Sequence, residues 1–328
     1  MKAMTIPQTG EPSVLTLADV EQPTPGDHDL LIEVHAAALN PVDTKLRSGK
    51  FRAPVTFPLI PGFDVSGRVV AIGNQVTKFR PGDAVFASPS LFKPGAHAEY
   101  VLVHEDIAAR KPESFSHVEA AAVPLALLTA WELLYDMANL QEGQTVLIHA
   151  AAGGVGHLAV QLAQARGCVV IGTASSDESF TLLEELKIDH AINYKSEDVH
   201  DRVTSITGDR GCDAVFDLVG TEVFKSSIPL VATRGHLGTI VGIPADADLN
   251  SLFLKSASLH AEFMGATAMA GRIPTHQGGI LKQAAAMIEA GTLKPHVSKV
   301  FPLEDLAAAH ELQATGTATG KLVIQIRE

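Results

Sequence analysis

Apolar residues in the middle of the chain follow two different periods, one directly after the other. Residues 146–148 form an unbroken apolar run, typical of a strand that is buried on both faces. The apolar residues that follow, including Val155, Leu158 and Leu162, recur at the spacing of a half-buried helix. The sequence AAAGGVG lies between the two. The pattern predicts a strand, a glycine-rich turn and a helix over residues 145–163.

The glycines of this turn suit a ligand that carries phosphate. Gly153 would let the backbone approach phosphate oxygens, and Gly156 would let the helix pack closely on its strand. The N-terminus of the helix adds unpaired N–H groups and the positive end of the helix dipole. An ordinary tight turn is the alternative, because a glycine cluster alone is weak evidence of binding.

Strand and helix patterns keep alternating after the turn, which favours a dinucleotide site over that alternative. Residues 168–174 and 212–220, the HAIN segment and the GHLGTIVG segment predict strands, and residues 182–186 lie in a helical pattern. Strands that alternate with helices in this way predict a doubly wound parallel sheet.

The two ends of the chain have a different pattern. Before residue 123, short alternating segments such as LLIEVHAAA and DAVFAS are broken by proline and glycine, which predicts a mostly β, barrel-like unit. The segments after residue 266 are too few to fold alone. We therefore predict that residues 267–328 return to complete the domain of residues 1–122, and that residues 123–266 form the dinucleotide-binding domain.

Composition and charge exclude several classes of function. The length of 328 residues suggests about two domains, and the net charge of −12 with scattered basic residues argues against nucleic acid as a partner. No apolar run approaches the roughly 18 residues that cross a bilayer, and the first residues lack the pattern of a signal peptide. We therefore expect a cytoplasmic protein without a membrane partner. Cys168 and Cys212 are expected to be buried in strands.

Motifs of other enzyme classes are absent from the sequence. None of the 14 histidines belongs to an HExxH motif, so we interpret them as structural or surface residues. Neither the GxSxG motif of serine hydrolases nor the GxxxxGK[ST] motif of nucleoside triphosphatases occurs.

Six segments together resemble the medium-chain dehydrogenase/reductase superfamily, and within it the zinc-free quinone oxidoreductase group (ζ-crystallin-like or enone reductase-like). They are AALNPVDTKLRSGKF, PLIPGFDVSGRVVAIG, PGDAVF, AAAVPLALLTAWELL, AAAGGVG and GKLVI. The resemblance implies an α/β protein with a GroES-like, mostly β catalytic domain and a doubly wound Rossmann domain. It also implies a homodimer that pairs through edge strands near residues 259–264, and the alternative is that this segment is an internal strand.

The resemblance implies a site without metal. Zinc-dependent members carry a cysteine at the position of Asn40 and a GHE motif at residues 62–64, which are Gly, Phe and Asp here. Residues 124–129, where another ligand would fall, contain no cysteine. Because zinc needs three or four N, S or O ligands, we expect no metal, and simple alcohol dehydrogenation is then not expected.

The resemblance also predicts the cofactor. NAD-specific relatives carry an acidic residue at the position of Ala174, and without it Ser175 and Ser176 could donate hydrogen bonds to a 2′-phosphate. Tyr194 matches a family tyrosine that touches this phosphate, whereas the family lysine is missing from residues 177–180. NADPH is therefore predicted over NADH. The predicted cofactor contacts are Ala151, Gly153, Gly154, Val155, Gly156, Thr173, Ser175, Ser176, Tyr194, Val219, Val241, Gly242 and Lys321.

Hydride transfer without a metal suits an acceptor that moves negative charge onto a distant oxygen, as an enone or a quinone does. The predicted catalytic residues match positions that line the substrate cleft of relatives: Asn40, Asp43, Lys45 and Thr129. Lys45 is the predicted stabiliser of the enolate. The alternative for Asn40 and Asp43 is that they cap a helix. Many quinone reductases have a tyrosine where this chain has Phe51, so the proton donor stays open between water, Lys45 and the cofactor ribose.

The predicted function is thus an NADPH-dependent, zinc-independent reductase of quinones or α,β-unsaturated carbonyls. Two alternatives stay open. An enoyl-thioester reductase would need a basic cluster for the phosphates of its substrate, and the sequence shows none. A non-catalytic NADPH-binding protein with a structural, sensory or RNA-associated role is the other.

Overall fold

The chain forms two compact units in a computed structural model that describes residues 1–51 and 56–327. The terminal unit comprises Met1–Leu128 and Gly265–Glu328, and the central unit comprises Thr129–Met264. Among the described residues, no helix combines the length and the apolar character needed to cross a membrane.

Strands and helices over the described ranges are numbered in chain order. The strands are β1 (Lys2–Thr5), β2 (Thr16–Asp19), β3 (Asp29–Leu39), β4 (Val65–Ile72), β5 (Ala84–Ala87), β6 (Tyr100–His104), β7 (Ala108–Arg110), β8 (Thr145–Ile148), β9 (Val169–Ala174), β10 (His190–Asn193), β11 (Cys212–Asp217), β12 (Val231–Thr239), β13 (Ser258–Ala261), β14 (Val297–Pro302) and β15 (Lys321–Gln325). The α-helices are α1 (Pro41–Arg47), α2 (His117–Ala121), α3 (Pro124–Trp131), α4 (Gly156–Ala165), α5 (Asp177–Glu185), α6 (Val199–Thr207), α7 (Glu222–Ser227), α8 (Asn250–Leu254), α9 (Ala266–Met269), α10 (His276–Glu289) and α11 (Leu306–Thr315). Short 3-10 helices cover Pro12–Val14, Glu105–Ile107, Ile228–Leu230 and Leu303–Asp305, and a π-helix covers Glu132–Met137.

The central unit contains a six-stranded parallel sheet in the order β10-β9-β8-β11-β12-β13. The strand order reverses at β8, as in a doubly wound dinucleotide-binding fold. The predicted α/β fold class is confirmed. Cys168 and Cys212 are both buried, as predicted. Cys212 begins β11 and packs in the apolar core of this unit, but the prediction that Cys168 lies in a strand is wrong, because β9 begins one residue later at Val169.

The terminal unit is built on a larger sheet in the order β14-β15-β3-β4-β5-β7, with β6 also paired to β3. β15 lies between β14 and β3, so segments from both ends of the sequence share one sheet. Small side chains let α2 pack on this sheet, because Ala36 and Ala38 of β3 meet Ala121 and Ala122 in a buried cluster.

Two apolar segments of the sequence, one from residue 117 and one from residue 212, are interrupted in the structure. The helical pattern from residue 117 is interrupted between α2 and α3, because Pro124 has no N–H to donate and instead starts a new helix. The apolar run of residues 212–220 is a strand only as far as Asp217. The carboxylate of Asp217 accepts hydrogen bonds from the backbone N–H groups of Val219 and Gly220, which turns the chain out of the sheet.

Candidate cofactor and catalytic sites

The turn between β8 and α4 has no space for a side chain at Gly156. A Cβ atom there would lie 2.2 Å from the carbonyl oxygen of Ala150 and 2.8 Å from Cα of Ala151. At Gly153 the nearest atom would be the same carbonyl oxygen, at 3.1 Å. No side chain caps the N-terminus of α4. The N–H of His157 in its first turn donates to the carbonyl oxygen of Gly153 at 3.0 Å, and among the described residues the N–H of Gly156 has no partner, so it is available to a ligand or to water. Gly153, Gly154 and Val155 are half-buried along this turn.

Thr173 near the end of β9 forms hydrogen bonds to the backbone of the turn between β8 and α4. Its hydroxyl oxygen accepts a hydrogen bond from the N–H of Ala150 at 3.2 Å and lies 3.3 Å from Nδ1 of His149. Its carbonyl oxygen accepts from the N–H of Ala151 at 3.0 Å. Burial lowers the pKa of His149 to about 4, so this imidazole is neutral at pH 7. Thr173 was predicted from the sequence, whereas His149 was not.

Asp217 joins the loops that follow β11 and β12. It is fully buried and also accepts a hydrogen bond from the hydroxyl of Thr239 at 3.1 Å. The N–H of Val241 in turn donates to this hydroxyl at 3.3 Å. The predicted contacts Val219, Val241 and Gly242 are exposed on these loops, at the carboxyl ends of parallel strands, where dinucleotides bind in this class of fold.

Asp217 and Thr239 are not among the residues predicted from the sequence. The signal that could have found Asp217 is a carboxylate directly after an apolar strand and three residues before a glycine, because a buried acid needs nearby N–H donors.

The end of β9 carries the residues that were predicted to select the cofactor. Ala174 ends the strand, and the hydroxyl of Ser175 donates to the hydroxyl of Tyr194 at 2.9 Å. Ser176 caps α5, because its hydroxyl oxygen accepts from the N–H of Ser179 at 3.2 Å. The first turn of α5 also carries two exposed acidic residues. The structure therefore brings Ser175 and Tyr194 together and gives Ser176 a capping role.

Asp43 in the terminal unit is completely buried at the start of α1. One carboxylate oxygen accepts from the N–H of Asn40 at 2.9 Å, and the other accepts from the N–H of Gly62 at 2.8 Å. Burial raises the pKa of Asp43 to about 7 despite these two donors. The geometry of Asp43 is that of a helix cap, the alternative that the sequence left open.

Asn40 belongs to a second buried group with Asp64 and Lys321. The amide nitrogen of Asn40 donates to Oδ2 of Asp64 at 2.8 Å, and its amide oxygen accepts from Nζ of Lys321 at 2.5 Å. The same ammonium lies 3.1 Å from Oδ2 of Asp64. Lys321 was predicted to contact the cofactor, and the structure gives its ammonium two partners within the terminal unit. Its contact with the cofactor stays a prediction.

Lys45 and Thr129 complete the predicted catalytic set. Lys45 is half-buried on α1, and within the described part of the chain its ammonium has no hydrogen-bond or ion-pair partner. Thr129 is buried on α3 and is the first residue of the central unit. Asn40 and Asp43 therefore lie at the start of α1, and Lys45 lies in its last turn.

The stability of the terminal unit should depend on the ionisation of Asp43. The pKa of Asp43 is 3.8 in the unfolded chain and about 7 in the folded chain. Between these two pH values, the folded chain therefore holds a proton that the unfolded chain has lost. The contribution of this proton to stability is complete below pH 3.8 and is lost as the pH rises through about 7. We expect the melting temperature of the wild type to exceed that of Asp43→Asn at pH 5, and the gap to narrow at pH 8. A gap that widens with pH would contradict the shift.

Comparison with known proteins gives consistent matches to oxidoreductases. Residues 26–113 match the family described as "Alcohol dehydrogenase GroES-like domain", and residues 186–324 match "Zinc-binding dehydrogenase". A Homo sapiens protein named quinone oxidoreductase is 31% identical over 326 residues, which cover 99% of this chain and 97% of that protein. A Staphylococcus aureus (strain COL) protein named zinc-type alcohol dehydrogenase-like protein is 36% identical, with 96% of each chain covered.

A solved structure agrees in fold. The crystal structure of Escherichia coli quinone oxidoreductase complexed with NADPH has a TM-score of 0.89 and 27% identity, and the match covers 99% of this chain and 100% of that one. A GroES-like unit and a doubly wound unit with a glycine turn define an NAD(P)-dependent oxidoreductase. The chain belongs to the medium-chain dehydrogenase/reductase superfamily, in its quinone oxidoreductase group.

The residues that are present do not fit the zinc in two of these names. Phe63 is fully buried and offers no ligand atom, and the amide of Asn40 and the carboxylate of Asp64 are already bonded to the ammonium of Lys321. Over residues 1–51 and 56–327, no group of three or more histidine, cysteine, aspartate or glutamate side chains could hold a metal ion. Zinc needs at least three such ligands.

Proposed function

We propose that this chain is an NADPH-dependent, zinc-independent reductase of quinones or α,β-unsaturated carbonyls. The observation that carries the proposal is the make-up of the polar cluster at the start of α1. It contains one amide, two carboxyl groups and one ammonium, and the described residues supply no set of three metal ligands there. Without a Lewis acid, the acceptor itself must spread the charge that hydride addition creates, as quinones and enones do.

The chain offers a place for the cofactor and a donor for the developing charge. When bound, the nicotinamide supplies the hydride. Gly156 leaves the backbone of the turn open to the pyrophosphate, and its own N–H, the first of α4, can donate to it. The ammonium of Lys45 has no partner among the described residues, and it can donate a hydrogen bond to an oxygen on which negative charge develops. Asp43 anchors α1, the helix that carries Lys45, because its carboxylate accepts hydrogen bonds from the backbone N–H groups of Asn40 and Gly62.

NADPH is proposed over NADH on the basis of three residues. Ala174 leaves no carboxylate at the end of β9 to repel a 2′-phosphate, and the hydroxyls of Ser175 and Tyr194 lie together beside it. The acidic residues in the first turn of α5 oppose this preference. We therefore expect NADPH to be preferred by a moderate factor, and NADH to remain usable.

The proposed partner is a second copy of the chain, bound along β13. This strand is at the edge of the central sheet, and a free edge favours pairing with another strand. Phe253 and Leu254 on the preceding helix are each 81% exposed, which is unusual for apolar side chains of this size. Light scattering that shows a stable monomer would contradict the dimer.

Absorbance of NADPH at steady state tests the proposed function directly. The purified chain is mixed with 1,4-benzoquinone, 9,10-phenanthrenequinone, short 2-alkenals and a primary alcohol, with NADPH or NADH for the carbonyl acceptors and the oxidised cofactors for the alcohol. We expect turnover with at least one quinone or alkenal, and no turnover with the alcohol. The KM for NADPH should be lower than the KM for NADH. Tight NADPH binding with no turnover across the panel would overturn the proposal in favour of a non-catalytic role.

A further inference from the structure

The terminal unit buries two carboxyl groups beside a single ammonium. Asp43 and Asp64 are fully buried, and the side chain of Lys321 is 3% exposed. A charged group at such depth is costly unless an opposite charge and hydrogen bonds compensate it. The lysine is thus the cation that the carboxylate of Asp64 requires.

The atoms around this ammonium are arranged as ligands around a cation. The amide nitrogen of Asn40 is bound to Asp64, which turns the amide oxygen toward Nζ of Lys321. One oxygen from Asn40 and one from Asp64 therefore converge on the ammonium, at 2.5 Å and 3.1 Å. The second oxygen of Asp64 accepts from the N–H of Leu125 at 2.6 Å, in the first turn of α3.

We propose that the ammonium of Lys321 is the permanent cation of this site, and that it takes the place between Asn40 and Asp64 that a metal ion would otherwise hold. The inference deepens the zinc-independent part of the proposed function and does not depend on which acceptor is reduced. A tethered ammonium cannot act as a Lewis acid on a substrate. Burial raises the pKa of Asp64, and the ammonium of Lys321 opposes this rise. The ammonium thereby favours the ionised carboxylate, which caps α3 and holds Asn40 at the start of α1.

Metal content tests the first half of the proposal. The wild-type chain is incubated with zinc, passed through a desalting column and analysed by elemental mass spectrometry, and its melting temperature is measured with zinc and with a chelator. We expect far less than one zinc per chain and the same melting temperature in both solutions. One zinc per chain, removed by the chelator with a lower melting temperature, would overturn the proposal.

A double-mutant cycle tests the charge pairing between Asp64 and Lys321. Lys321→Met leaves a buried carboxylate without its cation, and Asp64→Asn leaves a buried ammonium without its anion. Each single variant should melt on the order of 10 °C below the wild type. The double variant Asp64→Asn/Lys321→Met buries no unpaired charge, so it should melt no lower than either single variant.

Controls keep the cycle decisive. Lys225→Met removes a lysine that also contacts two carboxylates, at 2.6 Å and 3.0 Å, but on the surface, and its melting temperature should barely change. If Lys321→Met does not fold, the double variant decides: a folded double variant supports the pairing and an unfolded one contradicts it. The proposal would be contradicted if the losses in melting temperature of the two single variants added up in the double variant. A Lys321→Met variant as stable as the wild type would contradict it as well. Failure of quinone reduction would leave these outcomes unchanged, so the two proposals fail separately.

Discussion

Gly156→Val is expected to raise the Kd for NADPH by at least about 100-fold, which corresponds to roughly 2.7 kcal/mol. The added Cβ would lie 2.2 Å from a backbone carbonyl oxygen, and backbone cannot move aside as a flexible side chain can. The turn and the start of α4 must therefore shift together, and the N–H groups proposed to bind the pyrophosphate would shift with them. Titration followed by the fluorescence of bound NADPH measures the effect.

Gly279→Ala in α10 is the matched control, because a Cβ atom at Gly279 would meet nothing within 4 Å. We expect it to bind NADPH as the wild type does and to be slightly more stable, since alanine favours the interior of a helix. Circular dichroism would show whether Gly156→Val keeps the native fold. A folded Gly156→Val variant with wild-type affinity would show that the cofactor binds elsewhere.

Lys45→Met should lower kcat/KM for an enone or a quinone by about 10²- to 10³-fold, the usual cost of removing a hydrogen-bond donor from a developing oxyanion. The change removes an ammonium in the last turn of α1 that has no partner among the described residues, and it keeps the length of the side chain. The Kd for NADPH should not change. Steady-state rates at several acceptor concentrations, with NADPH saturating, measure the loss.

Lys50→Met serves as the control for charge, because Lys50 is an exposed lysine in the same segment of the chain. It should keep nearly the full rate. Lys45→Arg keeps a cation but changes its shape, so it should recover part of the loss. Full activity in Lys45→Met would remove Lys45 from the mechanism and leave water or the cofactor ribose as the proton source.

The sequence predicted those parts of the fold that depend on residues close together in the chain. The apolar run of β8, the turn at Gly156 and the helical spacing of α4 all lie within about twenty residues, and each follows from local packing or backbone geometry. The predicted alternation of strands and helices correctly gave the central sheet, because parallel strands need helical crossovers.

The buried polar groups were harder to predict because their partners are distant in sequence. Lys321 lies 257 residues from Asp64, and no local pattern indicates that the two side chains meet. Asp217 and Thr239 lie 22 residues apart on neighbouring strands. Asp43 shows a different limit: the sequence allowed a catalytic residue or a cap, and only the structure shows that both its oxygens accept hydrogen bonds from backbone N–H groups, as a cap does. Its catalytic role stays a prediction.

The position of β15 sets the order in which the chain can acquire its structure during synthesis. Leu322 of this strand pairs with Leu39 of β3, and the bond from Lys321 to Asn40 spans 281 residues. Every strand of the central sheet emerges from the ribosome before β15 does. The central sheet can therefore form before β15 is available to pair with β3. The terminal unit is therefore expected to finish folding last, and a nascent chain stalled before β15 would present the open edge of β3 to other chains.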